Sequence, residues 1–376
     1  MRFEFATAAR IVFGPGTVRD IPAAAREMGR RALLVTRRSG NFEGLGIAGA
    51  PFAIHGEPTV ELVRQGSQLA RDEACDLVIA LGGGSAIDAG KAIAALLANG
   101  GDPLDYLEVV GQGRPLTRPS APFIAIPTTA GTGSEVTRNA VLASPAHRVK
   151  ASLRSPHMLP ALAVVDPELT LDLPPALTAS TGLDALTQLI EPYVCNRANS
   201  MTDLYAVEGM RLAASALRRA WRDGRDLAAR TDMSFASLLG GLALANAGLG
   251  AVHGFAAPLG GMFDAPHGAL CAALLPHAMH VNIRALRARA PDGDALQRYA
   301  AVARLLTGRS DARAEDGVAW VAGLCGDLEV EHLRAYGVRQ ADVPALAEKA
   351  AVASSMKANP IVLTPKELQE LVSLAI

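Results

Sequence analysis

The chain reads as an α/β protein in two parts: an open parallel-sheet domain over residues 1–167 and an all-helical domain over 168–376. Three observations carry that reading. Short, continuous, β-branched runs alternate with helix-patterned segments in the first part. That alternation stops near Asp166-Pro167. Glycine-rich and threonine-rich turns directly follow two of the runs. Strand, helix, strand repetition implies a parallel sheet whose strands are buried on both faces.

Taken in order, the opening "MRFEFATAARIVFG" lacks the apolar centre of a signal peptide and reads as a first strand. "RALLVT" (31–36), "PFAIHG" (51–56), "DLVIALGGG" (76–84), "APFIAIPTT" (121–129) and "ALAVVDP" (161–167) are short and apolar, as buried parallel strands are. "TVELVRQGSQLARDEA" (59–74) and "SAIDAGKAIAALLAN" (85–99) carry apolar residues at helical spacing. Beyond residue 168 no strand pattern stands out. Pro174 and Pro175 suit a helix start, and Thr181-Gly182 reads as a junction between helices. The most apolar region, 236–263, contains Asn246, His253, Pro258 and several glycines, which favours a buried helix and loop over a membrane span.

Composition narrows the class. With 376 residues, 50% hydrophobic and 19% charged, the chain can bury a large core. A net charge of −1 and 4% aromatics offer no basic, base-stacking surface, so neither nucleic acid nor an anionic membrane is expected as a partner. Cys75, Cys195, Cys271 and Cys325 are scattered without a C-x-x-C, which fits a reducing cytoplasm and reads as four small buried hydrophobes.

Two turns carry ligand-binding chemistry. In "LGGGSAIDAGK" (81–91), Gly82, Gly83 and Gly84 let the backbone approach a phosphate. The following helix N-terminus points N–H groups at it, and Ser85 can cap the helix or bond an oxygen. The pattern is not G-x-G-x-x-G, and a tight strand-to-helix turn is the alternative. "IPTTAGTGSEVT" (126–137) follows a second strand and adds Thr128, Thr129 and Thr132. Two such turns at strand C-terminal ends form one crevice suited to a nucleotide diphosphate. Asp88 and Lys91 either face that ligand or lie on the surface.

The second part offers a metal set. "GLDALTQLIEPY" (182–193) puts Asp184 and Gln188 one turn apart on a buried helix face, where a carboxylate needs a partner. With His253 and His267 in "GAVHGFAAPLGGMFDAPHG" (250–268), this makes a mixed nitrogen and oxygen set suited to catalytic Fe(II) or Zn(II). The alternatives are an arginine partner for Asp184 and ordinary core histidines. His277 and His280 form a further i, i+3 pair, read as helix-end or pocket-wall residues.

The chain resembles the iron-containing (group III) alcohol dehydrogenase family. The likeness runs, in family order, through "FGPGT" (13–17), "GGGSAIDAGK" (82–91), "PTTAGTGSEVT" (127–137), "VDP" (165–167), "GLDAL" (182–186), "VHGFAAPLG" (252–260) and "PHG" (266–268). It implies a Rossmann-like nucleotide domain followed by a helical metal and substrate domain, and a homodimer. Gly82, Gly83, Gly84 and Ser85 would bind the cofactor pyrophosphate, and Thr128, Thr129 and Thr132 would line the cofactor. Asp88 and Lys150 would support the nicotinamide-ribose side. Asp184, His253 and His267 match three family metal ligands and would be the catalytic centre of hydride transfer between nicotinamide and an alcohol, aldehyde or keto substrate.

Two departures stand out. Gln188 occupies a position where the family usually has a ligand histidine, and would donate its amide oxygen or hold a water. Ala257 occupies a position that often holds a histidine, so a proton would travel through water and ribose hydroxyls. Arg37, in "LLVTRRSG" (33–40), stands where NAD-preferring relatives tend to have an aspartate. An arginine there welcomes a 2′-phosphate, which favours NADP(H) over NAD(H); Arg38 is the other candidate for that role, and a solvated arginine the plain alternative. Three further readings compete. One is a maleylacetate-reductase-like enzyme, with or without a metal. The others are a lyase resembling dehydroquinate synthase and a non-catalytic nucleotide-binding protein.

Overall fold

The computed structural model describes residues 2–37, 47–147 and 149–376. They divide into two compact units. One is Phe5–Thr129 with Gly133–Leu171; the other is Asp172–Ile376 with residues 2–4 and Ala130–Thr132.

The first unit contains β1 (Ile11–Phe13), α1 (Ile21–Met28), β2 (Arg31–Thr36), β3 (Ala48–Ala53), α2 (Val60–Asp72), β4 (Leu77–Gly82), α3 (Gly84–Asn99), α4 (Pro103–Tyr106), β5 (Phe123–Pro127), β6 (Asn139–Ser144), β7 (Val149–Arg154) and β8 (Leu162–Val165). Six strands form one sheet in the order β1-β8-β5-β4-β2-β3, each neighbouring pair parallel. Side chains alternate between its faces with the strand period of two. Leu33, Val35, Val78, Ala80, Phe123 and Ala125 join the core that includes the buried faces of α2 and α3. Ala32, Leu34, Leu77, Ile79, Ile124 and Ile126 join the core built on Ile21, Ala24 and Ala25 of α1.

The strand order reverses beside β2. From β2 the chain steps outward to β3, then returns to the other side as β4 and continues to β5. Open α/β sheets bind ligands outside the carboxyl ends of strands at such a reversal. Here those ends are Thr36 on β2 and Gly82 on β4, and Gly82 pairs in register with Pro127 on β5. The sheet therefore releases the glycine turn and the threonine turn side by side.

Three sequence expectations change in detail. The opening strand shrinks to Ile11–Phe13. An antiparallel hairpin, β6 with β7, joins the predicted strands. Its buried and half-buried residues alternate strictly along β6, so it lacks the continuous apolar run that marks the parallel strands. Thr181-Gly182 is not a junction, because the helix continues straight through it. A side chain at Gly182 would collide with Leu217, so this glycine lets two helices pack closely rather than ending one.

The second unit comprises α5 (Pro175–Val194), α6 (Ser200–Arg222), α7 (Leu227–Asn246), α8 (Ala251–Met262), α9 (His267–Arg289), α10 (Asp294–Thr307), α11 (Ala314–Asp327), α12 (Val343–Ala351) and α13 (Pro365–Ala375), and no strand among its described residues. Helix α5 is buried along most of its length and packs against α6, α7 and α9. The apolar stretch 236–263 forms the end of α7 and all of α8, which meet at 95°. Among the described residues no single helix is long and apolar enough to cross a membrane.

Candidate functional site

In the first unit, Gly83 sits in extended conformation as the N-cap of α3, and the first turn of that helix supplies N–H groups without intrahelical acceptors. A Cβ at Gly82 would lie 2.6 Å from that of Ala86, so only glycine lets β4 turn directly into α3. At Gly83 a Cβ would come within 3.3 Å of Thr129, which keeps the two turns close. Gly83, Gly84, Ser85, Thr128 and Thr129 are all half-buried, leaving backbone and hydroxyls reachable at the sheet's carboxyl edge. Thr128 donates its N–H to Gly82 O at 2.9 Å, which ties one turn to the other. Thr132 falls in the Ala130–Thr132 stretch that clusters with the helical unit. Arg37 is exposed directly after β2, and Arg38 lies outside the described residues.

Two expected cofactor residues have protein partners. Asp88 accepts from Ser134 Oγ and from the Val141 N–H at 2.9 Å, and lies 3.1 Å from Lys91 Nζ. Lys91 is neither a surface residue nor a free ligand-facing cation. It is fully buried and donates to Ser134 O, Thr137 Oγ1 and Asn139 O, which ties the threonine turn and β6 to α3. Lys150 forms an ion pair with Glu57 at 3.2 Å.

In the helical unit, Asp184, His253, His267 and Cys271 converge, each offering a ligand atom within 4.8 Å of the others. Asp184 Oδ1 lies 3.5 Å from His253 Nε2 and 3.8 Å from His267 Nε2. Both separations are too long for good hydrogen bonds. Asp184 Oδ1 and Gln188 Oε1 are buried and lack any hydrogen-bond partner, a costly arrangement unless something positive completes it. Electrostatics agrees. Burial would raise Asp184, yet the imidazoles of His267 and His253 hold it below the usual carboxylate range. Burial pulls His253 down, but Cys271, Asp184 and Glu191 carry it well above the ordinary histidine range. The Cys271 sulfur and, against burial, Asp184 push His267 up to about 9. Donors of this kind around an orphaned carboxylate oxygen fit a divalent cation.

Glu191 and Cys271 stand at the cluster, and the sequence reading did not single them out as site residues. Glu191 Oε1 accepts from the Val252 N–H at 2.7 Å and Oε2 lies 2.7 Å from His253 Nδ1. One carboxylate thus anchors the start of α8 and fixes the His253 ring through Nδ1, which leaves Nε2 turned into the cluster. Asn359 caps the same helix by accepting from the Ala251 N–H at 3.0 Å. Cys271 is not merely a small buried hydrophobe, since its Sγ lies 3.6 Å from His267 Nε2 and 3.9 Å from His253 Nε2. A signal for both existed: Glu191 follows Asp184 by seven residues and Cys271 follows His267 by four, each on its partner's helix face. Ala257 is exposed one turn beyond His253. His277 and His280 lie on α9 outside the cluster, where burial, His332 and His280 hold His277 below its ordinary range.

A parallel sheet with a phosphate cradle at its reversal point, and a helical unit with one cation-seeking cluster, define a nucleotide-dependent, metal-assisted enzyme. Comparison with known proteins sharpens the class. The family profile for iron-containing alcohol dehydrogenase matches residues 8–167, and that for the C-terminal part of the Fe-containing alcohol dehydrogenase family matches 178–376. A 1,3-propanediol dehydrogenase of Citrobacter freundii is 36% identical, covering 96% of this chain and 95% of its own. An NAD-dependent methanol dehydrogenase of Bacillus methanolicus is 33% identical, covering 97% of both chains. The crystal structure of a 1,3-propanediol oxidoreductase superposes with a TM-score of 0.92 over 100% of both chains at 35% identity. The chain belongs to the iron-containing alcohol dehydrogenase family. It is an NAD(P)-linked oxidoreductase acting on alcohol groups, of a family that uses NAD(H) and a metal.

Proposed function

We propose that the chain interconverts short alcohols and their aldehydes, with Asp184, His253 and His267 holding a catalytic Fe(II) or Zn(II). The observation that carries this reading is the orphaned buried Asp184 Oδ1, which lies 3.5 and 3.8 Å from the Nε2 atoms of two imidazoles. Short substrates are supported by relatives that act on propanediol and methanol, alike over nearly their whole length. A divalent ion in this cluster supplies a Lewis acid for the substrate oxygen, and nicotinamide supplies or accepts the hydride. The protein's own work is positional. Gly82, Gly83, Gly84 and Ser85 receive the pyrophosphate on backbone N–H groups, and Thr128, Thr129 and Thr132 line the cofactor. Asp88 and Lys91 brace the threonine turn, and Lys150 is held by Glu57 rather than left to the ribose. Glu191 keeps His253 in the ligating tautomer.

For the adenosine end, the exposed Arg37 after β2 supports a preference for NADP(H), since a guanidinium matches a 2′-phosphate. Fluorescence titration of NADPH and NADH checks this on wild type and Arg37→Ala. Wild type is expected to bind NADPH more tightly, and the variant to lose about tenfold of that preference, ~1.4 kcal/mol. Equal binding of both cofactors by wild type would overturn the preference.

A further inference from the structure

We infer that Cys271 is a direct metal donor, so that the centre is an aspartate, two histidines and a thiolate rather than an all nitrogen and oxygen set. This rests on reading the cluster as the metal centre and goes on to name its fourth donor. The first argument is geometric. Metal bonds of about 2.0–2.1 Å to nitrogen or oxygen and about 2.3 Å to sulfur give tetrahedral edges of roughly 3.3 Å between nitrogen or oxygen donors and roughly 3.6 Å between sulfur and nitrogen. The observed edges are 3.5 and 3.8 Å from Asp184 Oδ1 to the two Nε2 atoms, and 3.9 and 3.6 Å from Cys271 Sγ to the same two atoms. These four edges lie within about half an ångström of the tetrahedral values.

The second argument is orientation. Glu191 Oε2 lies 2.7 Å from His253 Nδ1, which leaves Nε2 as the ring atom turned toward Asp184 Oδ1 and Cys271 Sγ. Asp184 Oδ1 is itself an acceptor with no donor. A divalent ion serves all of them at once. Cys271 gives up its proton to solvent when the metal binds, as thiol ligands do.

The third argument is charge. Asp184 and Cys271 are buried, and the cysteine is fully inaccessible. One carboxylate and one thiolate balance a 2+ ion within its own donor set. A thiolate also biases selection. Sulfur donors favour zinc and cobalt over the harder iron(II) sites built from imidazole and carboxylate.

The test uses the full-length protein stripped of metal and reloaded with Co(II). Wild type is expected to show visible cobalt d–d bands and a near-ultraviolet thiolate-to-cobalt charge-transfer band. Cys271→Ser is expected to keep the visible bands and lose the charge-transfer band, whereas Gln188→Ala keeps both. The Zn(II)-over-Fe(II) affinity ratio, measured by competition, is expected to fall about tenfold in Cys271→Ser. A second measurement needs no variant: zinc X-ray absorption of wild type should contain one sulfur at about 2.3 Å. Visible bands without charge transfer in wild type, or a zinc shell of nitrogen and oxygen alone, overturns the thiolate ligand while leaving the metal centre intact. Absence of cobalt bands in every protein overturns the metal centre itself, and the thiolate with it.

Discussion

The two units meet their ligands in opposite ways. In the sheet unit the polar groups near the cradle are already satisfied by protein. Asp88 holds Ser134 and the Val141 N–H, Lys91 is bonded to three oxygens, and Lys150 faces Glu57. What remains for a ligand is backbone and hydroxyls at the ends of β4 and β5. In the helical unit the reverse holds: the buried Oδ1 of Asp184 has no partner, and two imidazoles and a sulfur stand around it. A backbone cradle is complete before the ligand arrives and chiefly supplies shape and N–H groups. A metal centre is incomplete without its ion and stores the cost of unpaired polar groups until the ion binds. Damage to one should therefore cost the cofactor, and damage to the other the metal, with little exchange between them.

The largest expected effect is on the incomplete side. Asp184→Ala removes the carboxylate common to both imidazoles, and turnover should fall by about 1000-fold or more, roughly 4 kcal/mol of transition-state stabilisation. Elemental analysis should find the purified variant without stoichiometric metal, while nicotinamide binding persists. Variant protein that keeps both metal and turnover would break the comparison. Next comes Glu191→Gln, which leaves the ligand atoms in place but weakens the hold on His253. Chelator competition should register a loss of about 10- to 100-fold in metal affinity. On the complete side, Gly83→Val pushes side-chain bulk toward Thr129. The KM for nicotinamide cofactor should rise about tenfold, ~1.4 kcal/mol, with metal content unchanged.

The smallest effect concerns Glu135, a buried acid beside the brace. Burial pushes its carboxyl up to about 7 from an ordinary 4.5. A carboxyl raised in the folded state adds stability that is fully present below about 4.5 and is lost as pH rises through about 7. Between about pH 5 and pH 8, wild type should therefore lose a few degrees of melting temperature relative to Glu135→Gln. Parallel melting curves for the two proteins would reveal a wrong sign at once.

The same contrast explains how much was legible in the sequence. The parallel strands, the glycine turn and the threonine turn are local. A buried strand is a continuous apolar run, and a phosphate turn is a few glycines before a helix, so neighbouring residues suffice to recognise them. The hairpin over 139–154 escaped because its faces alternate and carry no such run. Gly182 looked like a helix break because its reason, the side chain of Leu217, lies on another helix. Asp184, Gln188, His253 and His267 were visible as residue types, and the family resemblance joined them, but nothing local relates α5 to α8 and α9.

By itself, then, the sequence determined the order of elements, the division into sheet and helical parts, and the residues able to bind phosphate or metal, because these follow from periodicity and local backbone chemistry. Only the tertiary structure decided which of those residues lack partners. It turned Asp88 and Lys91 into a brace, made Glu191 the holder of His253, and brought Cys271 Sγ within reach of both imidazoles. Hydrogen-bond satisfaction is a property of who is adjacent in space, and for α5, α8 and α9 that adjacency is set by how separate helices pack.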